Sequence, residues 1–132
     1  MTEPLWLTPE KVIELNYLVV FKTNEPFRLL KRDQLESAIA KPKNHLYYNT
    51  VRDVVQLATT LLFGIARNHP FEQGNKRTGF ASAVTFLEWN GYRFLPQKDD
   101  ALAVVILSVL KREATEDVFT TYWRQHIIRV EG

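Results

Sequence analysis

The stretch Val51-Arg52-Asp53-Val54-Val55-Gln56-Leu57-Ala58-Thr59-Thr60-Leu61-Leu62-Phe63-Gly64-Ile65 carries the strongest periodicity in the chain. Val51, Val54, Val55, Ala58, Leu61, Leu62 and Ile65 recur at i, i+3, i+4 and i+7 spacing, which predicts a helix with a buried face. His69-Pro70 ends it, because a proline ring disfavours helical geometry at the residue before it. After a short loop, a second strong helix is predicted from about Asn75 to Trp89. Phe80, Ala83, Val84 and Leu87 face inward, and Asn90-Gly91 is the stop.

Working outward, Thr8-Pro9-Glu10 reads as a helix start with proline at the first position. Val12, Ile13, Leu15, Leu18 and Val19 form the apolar stripe behind it. Thr23 to Leu29, interrupted by Pro26, reads as a loop. Lys31 to Ala40 predicts a short helix closed by Pro42. The polar stretch Lys41 to Thr50, with Tyr47 and Tyr48, is expected to be an exposed loop or small flap. Beyond the central pair, Tyr92 to Pro96 suggests a short extended piece. Asp99-Asp100 is expected to cap a helix from Ala101 to about Arg112. Ala114-Thr115-Glu116-Asp117 starts the last helix, carrying Val118, Phe119, Tyr122, Trp123 and Ile127. The expectation is an all-α fold: a single-domain bundle of six helices over residues 1–132, with a small flap between the second and third helices.

Composition narrows the functional classes. The chain has 132 residues, enough for one domain. Hydrophobic residues make up 45% and charged residues 24%, as in ordinary globular proteins. Cysteine is absent, which excludes disulfides and thiolate metal sites. Met1-Thr2-Glu3-Pro4 lacks the basic end and apolar run of a signal peptide. No apolar run approaches the roughly 20 residues of a membrane-spanning helix. A cytoplasmic protein without membrane association is expected. The net charge is +2, with lysines and arginines scattered rather than striped, so nucleic-acid binding is not indicated.

Groups suited to phosphate chemistry concentrate in His69-Pro70-Phe71-Glu72-Gln73-Gly74-Asn75-Lys76-Arg77. The first N–H groups of a helix lack internal partners, and the helix dipole places partial positive charge there. Gly74 lets an anion approach the backbone closely. Asn75 adds an amide donor, Lys76 a positive charge, and Arg77 a planar fork that matches phosphate oxygens. At the other lip of the loop, His69 has the chemistry to take a proton from an attacking hydroxyl. Phe71 is expected to anchor the loop to the core. The plainer alternative is a helix-connecting loop with a surface or capping histidine. No second glycine stands five residues before the Gly-Lys pair of a Walker loop.

At these nine residues the chain resembles the Fic/Doc family, whose motif is His-x-Phe-x-(Asp/Glu)-(Gly/Ala)-Asn-(Gly/Lys)-Arg. Leu5-Trp6-Leu7-Thr8, Gln34 to Pro42 and Thr78-Gly79 also look like its Doc, or death-on-curing, toxin branch. The resemblance covers roughly residues 5 to 95. It implies an all-α bundle that transfers part of a nucleotide, from ATP or another nucleoside triphosphate, to a hydroxyl side chain of a target protein.

By analogy His69 is the base, Gly74, Asn75 and Lys76 form the anion hole, and Arg77 holds the phosphates. The flap with Tyr47 and Tyr48 aligns the target by backbone pairing. Lys76 in place of glycine, and Phe80 where a second arginine is expected, favour the branch thought to transfer the γ-phosphoryl group. AMP transfer is the alternative. The resemblance further implies a separate antitoxin that covers the site, and a target protein, a translation factor being one candidate. One departure stands out. Gln73 occupies the acidic position that binds Mg²⁺ in family members, so metal binding there is in doubt and a catalytically weakened binding module stays open. Glu72 is adjacent, but neighbours in a tight loop usually face different ways.

The remaining candidates have ordinary explanations. His45 and His126 stand alone, without ligand-type neighbours at metal spacing. Trp6, Trp89 and Trp123 read as packing residues, Glu113, Glu116 and Asp117 as a solvated helix start, and Glu36 as a packing or capping partner.

Overall fold

A computed structural model describes residues 3–130. Six helices and one two-stranded sheet occur among the described residues, in the order α1 (Pro9–Lys22), α2 (Arg32–Asn49), α3 (Val54–Asn68), α4 (Asn75–Trp89), β1 (Tyr92–Phe94), α5 (Ala101–Leu110), α6 (Glu116–Arg124) and β2 (Ile127–Arg129). The all-α expectation of six helices holds, with β1 and β2 as a small antiparallel addition pairing Phe94 with Ile127 and Tyr92 with Arg129.

α3 is the axis of the bundle. The spacing predicts one buried face, yet Leu57, Thr59, Thr60, Phe63 and Gly64 are buried as well, because α3 packs against α2, α4 and α6. Asp53 caps its start, accepting from the Val55 N–H at 3.0 Å, which leaves Val51 in the preceding loop. At the α3–α4 crossing a Cβ on Gly79 would lie 2.6 Å from the Leu62 carbonyl oxygen. Glycine is thus what allows the two backbones to approach so closely.

Beneath α6, Phe63, Phe119 and Trp123 form an aromatic group, with Phe63 edge-on to Phe119 at 5.3 Å. The buried Trp123 indole donates to Thr59 Oγ1 at 3.2 Å, and the Thr120 hydroxyl lies 2.8 Å from the same oxygen. Buried polar groups are here satisfied by one another.

Three expectations are corrected. The loop or flap expected at Lys41 to Thr50 is the second half of α2, and Tyr47 and Tyr48 lie exposed on its last turns. Pro42 removes one internal hydrogen bond but does not end the helix. Leu35, Ala38, Ile39 and Pro42 continue a buried i, i+3, i+4, i+7 face, and that burial outweighs the lost bond. Along α1 the buried face runs through Val12, Asn16 and Val20, leaving Leu18 exposed. Finally, Ile127 belongs to β2 rather than the last helix, since α6 ends at Arg124. Among the described residues no helix is long and apolar enough to cross a membrane.

Candidate active site

The loop between α3 and α4 is anchored from several sides. His69 caps α3 in the left-handed region, at φ 48° and ψ 54°. That conformation is sparsely populated for residues with a Cβ and tends to occur where the surroundings impose it. Several bonds impose it here. Asn68 donates to the Gln34 carbonyl at 2.9 Å, and the Pro70 carbonyl accepts from Leu30 N–H at 2.8 Å and Lys31 N–H at 3.1 Å. Glu72 N–H donates to the Arg28 carbonyl at 3.0 Å. Segment 28–31 therefore lies extended along the loop, bridging Leu29 to Phe71.

Phe71 is buried in the core. Its main chain is held from the other side by Asn75, whose Oδ1 accepts from Phe71 N–H at 3.0 Å while its Nδ2 donates to Phe71 O at 2.8 Å. One donor of the Asn75 amide is thereby committed to the loop. The donors without a partner at this position are backbone groups. Gly74 caps the start of α4 at φ 76°, and a Cβ there would also press on Val19 and Val20 at 3.2–3.3 Å. The first internal bond of α4 is Thr78 N–H to Gly74 O at 2.8 Å. The N–H groups of Asn75, Lys76 and Arg77 make no hydrogen bond among the described residues. These are the orphan donors of a helix start, with the positive end of the dipole behind them.

Side chains extend this positive site. Lys76 is exposed and forms no ion pair among the described residues. Arg77 points toward α1, with Nη1 donating to Thr23 Oγ1 at 3.1 Å and Nη2 to Glu25 Oε1 at 2.5 Å. The Thr23 hydroxyl and the Arg77 guanidinium hold the Glu25 carboxyl below the usual carboxylate range. His69 is exposed, and its ring makes no hydrogen bond among the described residues. On the α5 side of Lys76 and Arg77 opens a cleft of about 610 Å³, walled by Phe80, Phe94, Leu102 and Ile106. With phenylalanine at position 80, this wall is apolar rather than basic.

Sequence reasoning overlooked three residues. Asn16 is completely buried on α1 and donates to the Gln73 carbonyl at 2.8 Å and to Thr78 Oγ1 at 3.0 Å. It ties down both ends of the turn that leads into α4. A lone polar residue on an otherwise apolar face, between Val12 and Val20, was the available signal. Thr23 and Glu25 carry no sequence signal, because only the chain fold brings them to Arg77. The structure does not bring Tyr47 and Tyr48 to the loop as a flap. Segment 28–31 occupies that place.

Gln73 and Glu72 are both exposed. Among the described residues no three His, Cys, Asp or Glu side chains cluster at metal-binding distance. Gln73 offers a neutral amide oxygen where Mg²⁺ prefers carboxylate and phosphate oxygens. The donor set does not fit a protein-built magnesium site, and no step below runs through the ion.

His45 contacts Asn49 on α2, and His126 stacks edge-on with Tyr122. Trp6 stacks on Phe86 and Trp123 is core, while Trp89 is exposed. Glu116 is not merely solvated, for it pairs with Arg67. Glu36 pairs with Arg32 at 3.4 Å.

Comparison with known proteins bears on this geometry. The chain is 28% identical over 85 residues to "Protein kinase doc" of Escherichia phage P1, covering 64% of this chain and 68% of that protein. It is 38% identical over 66 residues to "Toxin Doc" of Mycolicibacterium smegmatis, covering 49% of this chain and about half (51%) of that protein's length. Residues 6–87, which include the whole anchored loop, match the Fic/DOC family. The chain belongs to the Fic/Doc family.

Proposed function

We propose that the protein is a toxin-type transferase that moves the γ-phosphoryl group of a nucleoside triphosphate to a hydroxyl side chain of a target protein. The observation that carries this is the juxtaposition across one braced loop. An unpaired imidazole, His69, stands at one lip, and three unpartnered N–H groups with Lys76 and Arg77 stand at the other. The two relatives, one named a protein kinase and the other a toxin, support the same reading.

The phosphates rest on the N-terminus of α4, where backbone N–H groups and Lys76 spread their charge. Arg77 gives a bidentate fork to the same anion. The nucleoside lies in the cleft beside Phe80 and Phe94, whose rings match its flat apolar faces. His69 accepts the proton of the target hydroxyl as its oxygen bonds to the γ-phosphorus. The bond from that phosphorus to the β–γ bridging oxygen breaks, and the nucleoside diphosphate leaves. Any Mg²⁺ arrives held by the phosphates. The target chain aligns along the exposed edge of segment 28–31, which is already extended against the loop. A separate antitoxin restrains the enzyme by covering the site, and the target is a cytoplasmic protein, a translation factor being one candidate.

The test uses purified protein, a bacterial lysate, and ATP labelled at the α or the γ phosphate. Label entering a protein from γ alone supports phosphoryl transfer. Label from α replaces it with AMP transfer, and label from neither shifts the weight to a binding module weakened at Gln73.

A further inference from the structure

Arg77 is already occupied by a carboxylate of its own chain. Glu25 Oε1 sits 2.5 Å from Arg77 Nη2, and Thr23 Oγ1 sits 3.1 Å from Nη1, so both arms of the guanidinium fork have partners. The main chain that carries Glu25 is held in place by the end of α1. α1 ends with Thr23 as cap and Asn24 in the left-handed region at φ 56°. Asn24 N–H bonds Phe21 O at 3.2 Å, and Glu25 N–H bonds Val20 O at 2.9 Å. This is the Schellman pattern, and asparagine tolerates its left-handed residue. It holds the Glu25 main chain against the last turn of α1. Val19 and Val20 of that turn also abut Gly74, and Arg77 Nη2 lies 3.5 Å from where a Gly74 Cβ would be. The guanidinium thus lies between the Glu25 carboxylate and Gly74, the residue that caps the start of α4.

We propose that Glu25 is a built-in competitor for the anion at Arg77, so that a phosphate ligand engages the guanidinium fork only by displacing it. The inference rests on the reading that phosphates bind at Arg77. A closed pair reduces the apparent affinity of every ligand that needs the fork, by the fraction of molecules in which the fork is open. Both side chains are partly exposed, so the closed state is favoured only modestly. The expected penalty is about two- to fivefold in Kd, the range that an exposed ion pair supports. Such a penalty keeps the site unfilled at low nucleotide concentration without closing it.

The test is calorimetric titration of the full chain with ATP and, separately, with inorganic tripolyphosphate, each with and without Mg²⁺. Glu25→Gln removes the charge, Glu25→Ala also removes the acceptor, and Arg77→Ala removes the fork. Thermal melting checks that each variant is folded. Both Glu25 variants are expected to bind both probes about two- to fivefold more tightly than the natural chain. In the Arg77→Ala background the Glu25 substitutions are expected to change nothing. Unchanged affinity for both probes overturns the competition while leaving nucleotide binding intact. Weaker binding confined to the Mg²⁺ titrations also overturns it, and makes Glu25 a group on the metal side. Tighter tripolyphosphate binding with no ATP binding keeps the competition and removes the nucleotide. Binding of neither probe to any form removes both.

Discussion

Asn75 closes a two-bond ring onto Phe71, accepting from its N–H at 3.0 Å and donating to its carbonyl at 2.8 Å. The first residue of α4 thus holds the middle of the loop that leads into it. Asn75→Ala is expected to cost about 1–3 kcal/mol, since both main-chain groups of Phe71 lose partners. Asn75→Asp keeps the acceptor and is expected to lose less. Urea unfolding of the two variants checks the order; equal losses would mean that the Oδ1 acceptor half of the ring contributes nothing.

Gly79 faces the Leu62 carbonyl with no room for a Cβ. Gly79→Ala is expected to destabilise by about 1–3 kcal/mol through forced separation of α3 and α4, despite the better helix propensity of alanine. A gain in melting temperature would show that the two helices part at little cost.

Thr59 is the hub for the Trp123 indole and the Thr120 hydroxyl. Thr59→Val preserves volume but strands the buried indole N–H, for an expected loss of about 1–3 kcal/mol. Trp123→Phe in the Thr59→Val background should recover part of it, because the orphaned donor is then gone. No recovery would place the energy in packing rather than in the hydrogen bond.

Two carboxyls are held below their ordinary value of 4.5, Glu25 by Thr23 and then Arg77, and Glu10 chiefly by Arg32. A depressed folded pKa adds stability above the unfolded value and loses it as pH falls through the folded one. The stability difference between the natural chain and a Glu10→Gln, Glu25→Gln double variant is therefore expected to be constant above about pH 4.5 and to shrink below it. Unfolding midpoints measured across that range check the sign. A difference that grows toward acid would contradict it.

Helices were legible in the chain where one periodic face coincided with a cap, as in α3, α4 and the Thr8-capped α1. Pro42 misled because a local breaker was outweighed by a buried face that only α3 completes. The nine-residue loop motif was visible as a string of residue types. Its bracing by Asn16, Gln34 and segment 28–31 was not, since those partners lie 34 to 57 positions away or pair through backbone. Glu25 was invisible for the same reason. An acidic loop residue gains meaning only once the chain fold sets it against Arg77.

The most direct measurement is the single-turnover rate of label transfer to protein by the natural chain and by His69→Ala, with nucleotide affinity measured on the same samples. The account predicts a rate lower by roughly 10²–10⁴ in the variant, with nucleotide affinity changed less than about twofold. Equal rates would remove His69 as the base, and a parallel loss of affinity would make it a binding residue instead.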